Sequence, residues 1–529
     1  MLSTYLSATP FNQESKHLPQ RRTCKFRQLG YINKSFVLLT YSFIISFITC
    51  DELDEDSTLT YQQGTPPAFV EWHPQNATTE ASSVNSNSPE RKERDELLMV
   101  HAIWRHGDRT PISTYPTDPH QEESWPQGTH SQFNLGMAQQ VQLGKFLRKR
   151  YMDELNFLSP RYRANEIYIT STDTNRTIQS AYANMVGMYS YNSTWGVDYT
   201  DIVDWPSGYV PVPVHTYEFR KDPVGHARSA ACPRTFELFD LTTRTMEYRA
   251  VNESSFELLQ KVSEYAGMPV TTANLWLVAE TVRIERSHGK RPPDWASEIY
   301  QQLVDINNQL ITFHSGLGMT PLFGIDFKKE LATILGGKFL WEMIERMQMK
   351  VDCLQKQKLA GTSGKPSALC KWLNPIKYHA HSSHDMTLAA LFTALDFNKT
   401  DFDRDGFPPY CSSVMIELWH RANDSTPYVK VLYHRENDDL LYITEHISGC
   451  ENECTLEQLA SRSEKYKPVP NQETLCHTSL QYMPLDNGSV RLLFFQWIYL
   501  LPSLYLILPS SKMIRDSMDW SAYALNARI

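Results

Sequence analysis

The stretch Arg105-His106-Gly107-Asp108-Arg109-Thr110-Pro111 crowds two guanidinium groups around one imidazole. Just before it, Leu97-Leu98-Met99-Val100-His101-Ala102-Ile103-Trp104 is a short apolar run that predicts a buried strand. Gly107 and Pro111 then break the chain, which puts the charged cluster at the strand's C-terminal end. Open α/β sheets bind ligands at that edge. Arginine forks match the oxygens of a phosphate and stay charged at any working pH. Between two such charges a histidine is disfavoured as imidazolium, and a neutral imidazole nitrogen facing phosphorus is a nucleophile. A surface turn in ordinary ion pairs is the bland alternative, and the coherence of the seven-residue pattern R-H-G-x-R-x-P argues against it.

Two further segments share this layout. Ile376-Lys377-Tyr378-His379-Ala380-His381 reads as a strand, Ser382-Ser383 leads to His384-Asp385, and Leu388, Leu391, Phe392 and Leu395 mark one apolar helix face. His384 and Asp385 therefore fall at a strand-to-helix junction, where unpaired N–H groups favour an anion. Ile167-Tyr168-Ile169-Thr170 is another strand candidate, followed by Ser171 to Thr177 and a helix marked by Ile178, Ala181, Tyr182, Met185 and Val186. Arg176 falls in the first turn of that helix, a poor place for a cation unless an anion sits beside it. Taken alone, Asp385 reads equally well as a helix cap, His384 as a buried polar histidine and Arg176 as a solvated residue. Parallel strands with crossover helices would bring all three turns to one sheet edge.

Together these motifs resemble the histidine acid phosphatase family. The run on to Pro116-Thr117-Asp118-Pro119 and Ser124-Trp125-Pro126-Gln127-Gly128 is similar to the animal lysosomal and prostatic acid phosphatases, and the likeness extends from about Glu96 to about Cys476. The resemblance implies a phosphoglycerate-mutase-like α/β fold: a mostly parallel or mixed central sheet, flanking helices and an inserted helical domain. It implies phosphomonoester hydrolysis through a phosphohistidine, with His106 as nucleophile and Asp385 as proton donor. Arg105, Arg109, Arg176 and His384 would hold the phosphoryl oxygens. No cofactor or metal is required, because the arginines supply the positive charge. His379 and His381 share a strand face but have no carboxylate or cysteine ligand close by, so the metal reading is weak. Asp108 is expected to be an ion-pair partner with a depressed pKa among the arginines.

The remaining sequence sets the context. The first 50 residues hold six Lys/Arg and one acidic residue, so the net charge of −9 becomes −14 for residues 51–529. An acidic body repels nucleic acid, which makes the arginine cluster a local positive pocket and small phosphomonoesters its expected partners. Residues 1–50 read as a signal peptide or signal anchor: basic residues precede an uncharged run from Phe36 to Cys50. Residues 51–94 are polar and acidic and predict a disordered lead-in. The α/β catalytic domain is expected over 95–205 and 361–480, with an inserted helical domain over 206–360. Within the insertion, Asp294 is the expected N-cap of a helix bearing Trp295, Ile299, Leu303, Ile306 and Leu310, and Phe327 to Met349 predicts another. Residues 490–511 form a candidate transmembrane segment, weakened by Gln496, Pro502 and Pro509.

Asn76, Asn192, Asn252, Asn398, Asn423 and Asn487 begin N-x-[ST] triplets and suggest the secretory route, towards a lysosome or the cell surface. Asn175 also matches, but it adjoins Arg176 in the expected pocket. Seven cysteines follow the N-terminal segment, and their connectivity cannot be deduced from sequence. By the resemblance, Cys450 pairs with Cys454 and Cys232 with Cys476. The family's remaining bridge has no cysteine between Trp276 and Trp295 to form it, so the pairing of Cys353, Cys370 and Cys411 stays open, with a local Cys353–Cys370 bridge and a free Cys411 as one arrangement. A homodimer is a further implication of the resemblance. The competing enzyme is an inositol-polyphosphate phosphatase on the same fold; the acidic body, and His-Asp in place of a His-Ala-Glu arrangement, speak against it. A catalytically silent secreted or membrane-held binding protein is the reading from another class.

Overall fold

The computed structural model describes residues 94–129, 131, 134–218, 221–222, 232–360, 365–397, 408–435 and 440–481. The N-terminal segment, the run 490–511, and Asn76, Asn398 and Asn487 lie outside them. Among the described residues, no helix is long and apolar enough to cross a membrane.

Among the described residues, eight strands form one sheet: β1 (Glu96–Arg105), β2 (Ile167–Ser171), β3 (Val214–Thr216), β4 (Tyr378–Ser383), β5 (Ser413–His420), β6 (Pro427–His434), β7 (Leu440–Tyr442) and β8 (Cys454–Thr455). Their order is β3-β2-β4-β1-β5-β6-β7, with β8 also pairing with β6. The pairs β2–β3, β2–β4 and β1–β4 are parallel, and those from β5 onward are antiparallel. β3 falls inside the 206–360 range expected for the helical insertion and extends the sheet. The strand β1 is apolar almost throughout because both its faces are covered. Met99 and Ile103 join one core with Leu388 and Leu391; Val100, Ala102 and Trp104 join the other with Leu143 and Met185. This is the two-residue alternation of a strand.

The helices are α1 (Asn134–Arg148), α2 (Asn175–Tyr189), α3 (Pro233–Thr242), α4 (Met246–Ala266), α5 (Leu275–Ser287), α6 (Asp294–Glu298), α7 (Tyr300–His314), α8 (Phe327–Leu331), α9 (Lys338–Ala360), α10 (Ala368–Leu373), α11 (Asp385–Leu395), α12 (Leu456–Ser463) and α13 (Gln472–His477). From α3 to α9 they run consecutively between β3 and β4. Leu275, Val278, Val282, Leu303 and Leu310 build a third core there.

Two helix expectations need correction. Asp294 is not the N-cap: Pro293 holds that position, and the Asp294 carboxylate pairs with Arg291 at 2.7 Å. That helix also breaks at Ile299, giving α6 and α7. The second expected helix is split by a π-helical turn at Ala332–Gly337 and runs on to Ala360. Glycine is required within that turn, since a Cβ on Gly336 would lie 2.2 Å from the Ala390 carbonyl oxygen. The π turn thus seats α11, the helix that begins at Asp385.

Cys232–Cys476, Cys353–Cys370 and Cys450–Cys454 are disulfide-bonded, and Cys411 is a buried thiol.

Candidate active site

The parallel register brings three strand ends together. Arg105, the last residue of β1, lies opposite Ser383 of β4, and Ser171 of β2 opposite Ser382. Ser382 ties the strands further: Trp104 Nε1 donates to its hydroxyl at 3.0 Å, and that hydroxyl donates to the Thr177 carbonyl of α2 at 2.7 Å. Beyond this edge come His106, Arg109, Arg176, His384 and Asp385.

The loop after β1 is held through its backbone. Gln140 Nε2 donates to the Arg105 carbonyl at 2.8 Å, and the amides of Gly107 and Asp108 donate to Ser180 Oγ and Gln139 Oε1. Helix α1 presses so closely that a Cβ on Gly136 would sit 2.1 Å from the Asp108 carbonyl oxygen.

His106 is 1% exposed. Its Nδ1 lies 2.8 Å from the Gly107 carbonyl oxygen, which can only accept, so Nδ1 carries the hydrogen and the lone pair is on Nε2. Burial, together with Arg176, Arg105, His384 and Arg109, holds this imidazole well below the usual histidine range. The His384 ring stands edge-on to it, 5.6 Å away between centroids. His384 Nδ1 accepts from Arg176 Nη2 at 3.4 Å, so its Nε2 donates to Thr172 Oγ1 at 3.0 Å.

The cations are only partly satisfied. Arg105 Nη2 meets Asp385 Oδ2 at 2.6 Å, and Nη1 donates to the Pro408 carbonyl. Arg109 Nη2 meets Glu280 Oε1 at 2.6 Å. The Nε atoms of Arg105, Arg109 and Arg176 are all buried without a hydrogen-bond partner. Burial and the neighbouring Arg109 bring the Arg176 guanidinium down to about 10. Unpaired donors of this kind are costly when nothing occupies the site, and they suit an anion with several acceptor oxygens.

Asp385 opens α11, and its Oδ1 accepts from the Met386 amide at 2.7 Å, a local contact that coexists with the Arg105 pair. Asp108 departs from expectation. Its partner is His288, 2.6 Å away, rather than an arginine, and burial raises its pKa instead of lowering it. His379 and His381 are structural: His379 packs against His101 and Tyr168, while His381 Nδ1 bonds Thr170 Oγ1 at 2.7 Å.

Sequence reasoning missed Glu280, Arg283 and His288, which come from α5 and the residue following it, and Tyr410. Arg283 Nη2 donates to the Tyr410 hydroxyl at 2.7 Å, and the Tyr410 ring lies 5.8 Å from that of His106. The available signal was the i, i+3 pair Glu280/Arg283 on the polar side of an otherwise apolar helix, a pattern that ordinarily reads as solvated.

A buried neutral imidazole ringed by arginines with unmet N–H groups, at the C-terminal edge of parallel strands, is a phosphate-handling site. The chain belongs to the histidine phosphatase superfamily (branch 2), whose family model matches residues 96–434, and it is a phosphatase of that family. Its sequence is similar to human lysosomal acid phosphatase, at 32% identity over 71% of this chain and 79% of that protein. It is also similar to mouse testicular acid phosphatase, at 29% identity over 75% and 87%. Among solved structures, the phytase from Citrobacter braakii aligns with a TM-score of 0.49 and 15% identity, over 73% of this chain and all of that one.

Proposed function

We propose that the chain is an acid phosphatase in which His106 takes the phosphoryl group. The observation that carries this reading is the coincidence of a Nδ1-protonated, buried His106 with three buried, partnerless arginine Nε–H groups. The phosphoryl group sits on Arg105, Arg109 and Arg176, and His384 joins them by turning its Nε2–H from Thr172 to a phosphoryl oxygen. His106 Nε2 attacks phosphorus in line, so the N–P bond forms as the ester P–O bond breaks, and Asp385 passes its proton to the departing oxygen. Water then attacks the phosphohistidine, returns a proton to Asp385 and releases inorganic phosphate. Substrate phosphate competes with Asp385 for Arg105, which frees the carboxyl to carry the proton. The arginines stabilise charge spread over the phosphoryl oxygens.

The residues between β3 and β4 serve as an inserted cap over this edge, reaching it through Glu280 and Arg283. A secretory, lysosomal destination is supported by the named relatives, by the three disulfides, and by the exposure of the acceptor residues Asn192, Asn252 and Asn423.

The test is to quench the protein during turnover of a labelled phosphomonoester. Acid-labile, alkali-stable label is expected, absent from His106→Ala. Acid-stable label, or label retained on the variant, overturns the assignment.

A further inference from the structure

Helix α5 brings one more cation to the site than a single phosphoryl group uses. Arg283 stands three residues beyond Glu280, yet Glu280 Oε1 is 3.9 Å from it and hydrogen-bonded to Arg109 instead. What holds Arg283 is a neutral group, the Tyr410 hydroxyl, at 2.7 Å. The Tyr410 ring also lies close to Arg105: the guanidinium carbons of Arg105 and Arg283 are 4.3 Å and 5.0 Å from its centroid. One tyrosine thus links a guanidinium at the floor to one at the rim. The Arg283 side chain is 38% exposed, against 7% for Arg105 and 4% for Arg109. A cation fixed by a phenol keeps its charge and has already lost much of its rotamer freedom, which lowers the cost of binding an anion.

We propose that Arg283, anchored by Tyr410, is a subsite for a second anionic group, a carboxylate or phosphate, on the leaving group of the substrate. The inference rests on the phosphatase reading above. In an in-line displacement the leaving group lies opposite the nucleophile, on the side away from His106 and towards the open rim. A leaving group with its own negative charge then meets the rim guanidinium of Arg283, which has no carboxylate hydrogen-bonded to it. The preferred substrates are compact phosphomonoesters bearing a second anion, and neutral alcohols are poorer leaving groups for this site.

A matched pair of esters tests this: 3-phosphoglycerate and glycerol 3-phosphate, which differ chiefly by a carboxylate in place of a hydroxymethyl group. The readout is the ratio of kcat/KM for the first to that for the second. Arg283→Gln should lower the ratio about ten-fold, the scale of one charge-assisted contact. Arg283→Lys should keep most of it, and Tyr410→Phe should lower it less than Arg283→Gln. The wild-type protein provides an independent measurement. Raising ionic strength from about 0.01 M to about 1 M shrinks the screening length from about 30 Å to about 3 Å. The ratio should then fall, whereas simple repulsion by a chain of net charge −9 would make it rise. A ratio unchanged in Arg283→Gln, or rising with salt in the wild type, overturns the subsite while leaving the phosphatase reading intact. Failure of the wild type to hydrolyse either ester or p-nitrophenyl phosphate sinks both.

Discussion

Two polar clusters that include arginine are built on opposite terms in this molecule. At Glu417 on β5, Arg150 makes a two-pronged contact at 2.8 and 3.0 Å, and Tyr151 and Trp419 donate to the same carboxylate at 2.9 and 3.0 Å. That carboxylate is wholly buried and saturated with donors. At the edge of β1, β2 and β4 the guanidinium groups of Arg105, Arg109 and Arg176 each keep a buried Nε–H without a partner. The first cluster is complete and holds the fold together. The second is incomplete, and its unmet N–H donors suit the acceptor oxygens of a phosphate.

The sharpest way to break this contrast is through the leaving group. Asp385→Ala should slow an alkyl phosphate by roughly 10²–10⁴-fold, the usual scale of acid catalysis, and p-nitrophenyl phosphate far less, because that phenolate departs unaided. Comparing kcat/KM for the two esters checks this, and equal losses would remove Asp385 as the proton donor; it is not the helix cap either, since His384 holds the N-cap position of α11.

Next come the arginines themselves. Arg109→Ala and Arg176→Ala should reduce kcat/KM for both esters alike, by about 10²–10³-fold, since they act on oxygens common to every substrate. The melting temperature should hold or rise in Arg176→Ala, where electrostatic crowding is relieved, and fall in Arg109→Ala, which strands Glu280. Glu417→Ala should do the reverse of Arg176→Ala: a stability loss of about 3–5 kcal/mol from stranding Arg150, with turnover per folded molecule preserved. Denaturation midpoints and active-site titration would show whether the two clusters separate in this way.

A smaller effect concerns acid tolerance. Burial and Arg346 hold His101 and His379 well below the ordinary histidine range, and burial brings His381 down to about 4. The unfolded chain, with histidines near 6.5, therefore binds more protons over this interval. Stability should be full above about pH 6.5 and decline as pH falls through the folded values, by up to about 1.4 kcal/mol per pH unit for each histidine. His101→Gln should flatten that decline in denaturant titrations at pH 4–6, and an unchanged slope would show that other groups set it. The smallest effect is expected at Glu280, which shares Arg109 with the incoming phosphate. Glu280→Gln should tighten competitive inhibition by inorganic phosphate about five-fold, in line with about 1 kcal/mol for a partly exposed pair. Weaker inhibition would mean that Glu280 instead holds Arg109 in its working pose.

What the sequence disclosed about this site followed chain order. The three strand–turn–helix units were legible because apolar periodicity, Gly107, Pro111 and the polar turns are local signals, and they carried His106, Arg109, Arg176, His384 and Asp385 with them. The partners from α5 were not. Glu280 meets Arg109 from 171 residues away, and a polar residue on an amphipathic helix looks the same whether it faces water or a ligand. Asp108 was misread for a related reason. Its arginine neighbours are close in sequence, but the group that reaches it is His288, 180 residues on. The π turn at Ala332–Gly337 was hidden because two glycines in a helical pattern do not say which backbone will press against them.

The way α5 serves the site bears on how such an enzyme could be retargeted. It reaches the phosphate edge through side chains, whereas the loop around His106 is gripped by its backbone amides and carbonyls. On the proposed reading, substitutions at positions 280 and 283 should change what is admitted without disturbing the loop that carries His106. In a directed-evolution library these two positions would be the ones to randomise for new substrates, with Ser382, Gly136 and Gly336 kept fixed.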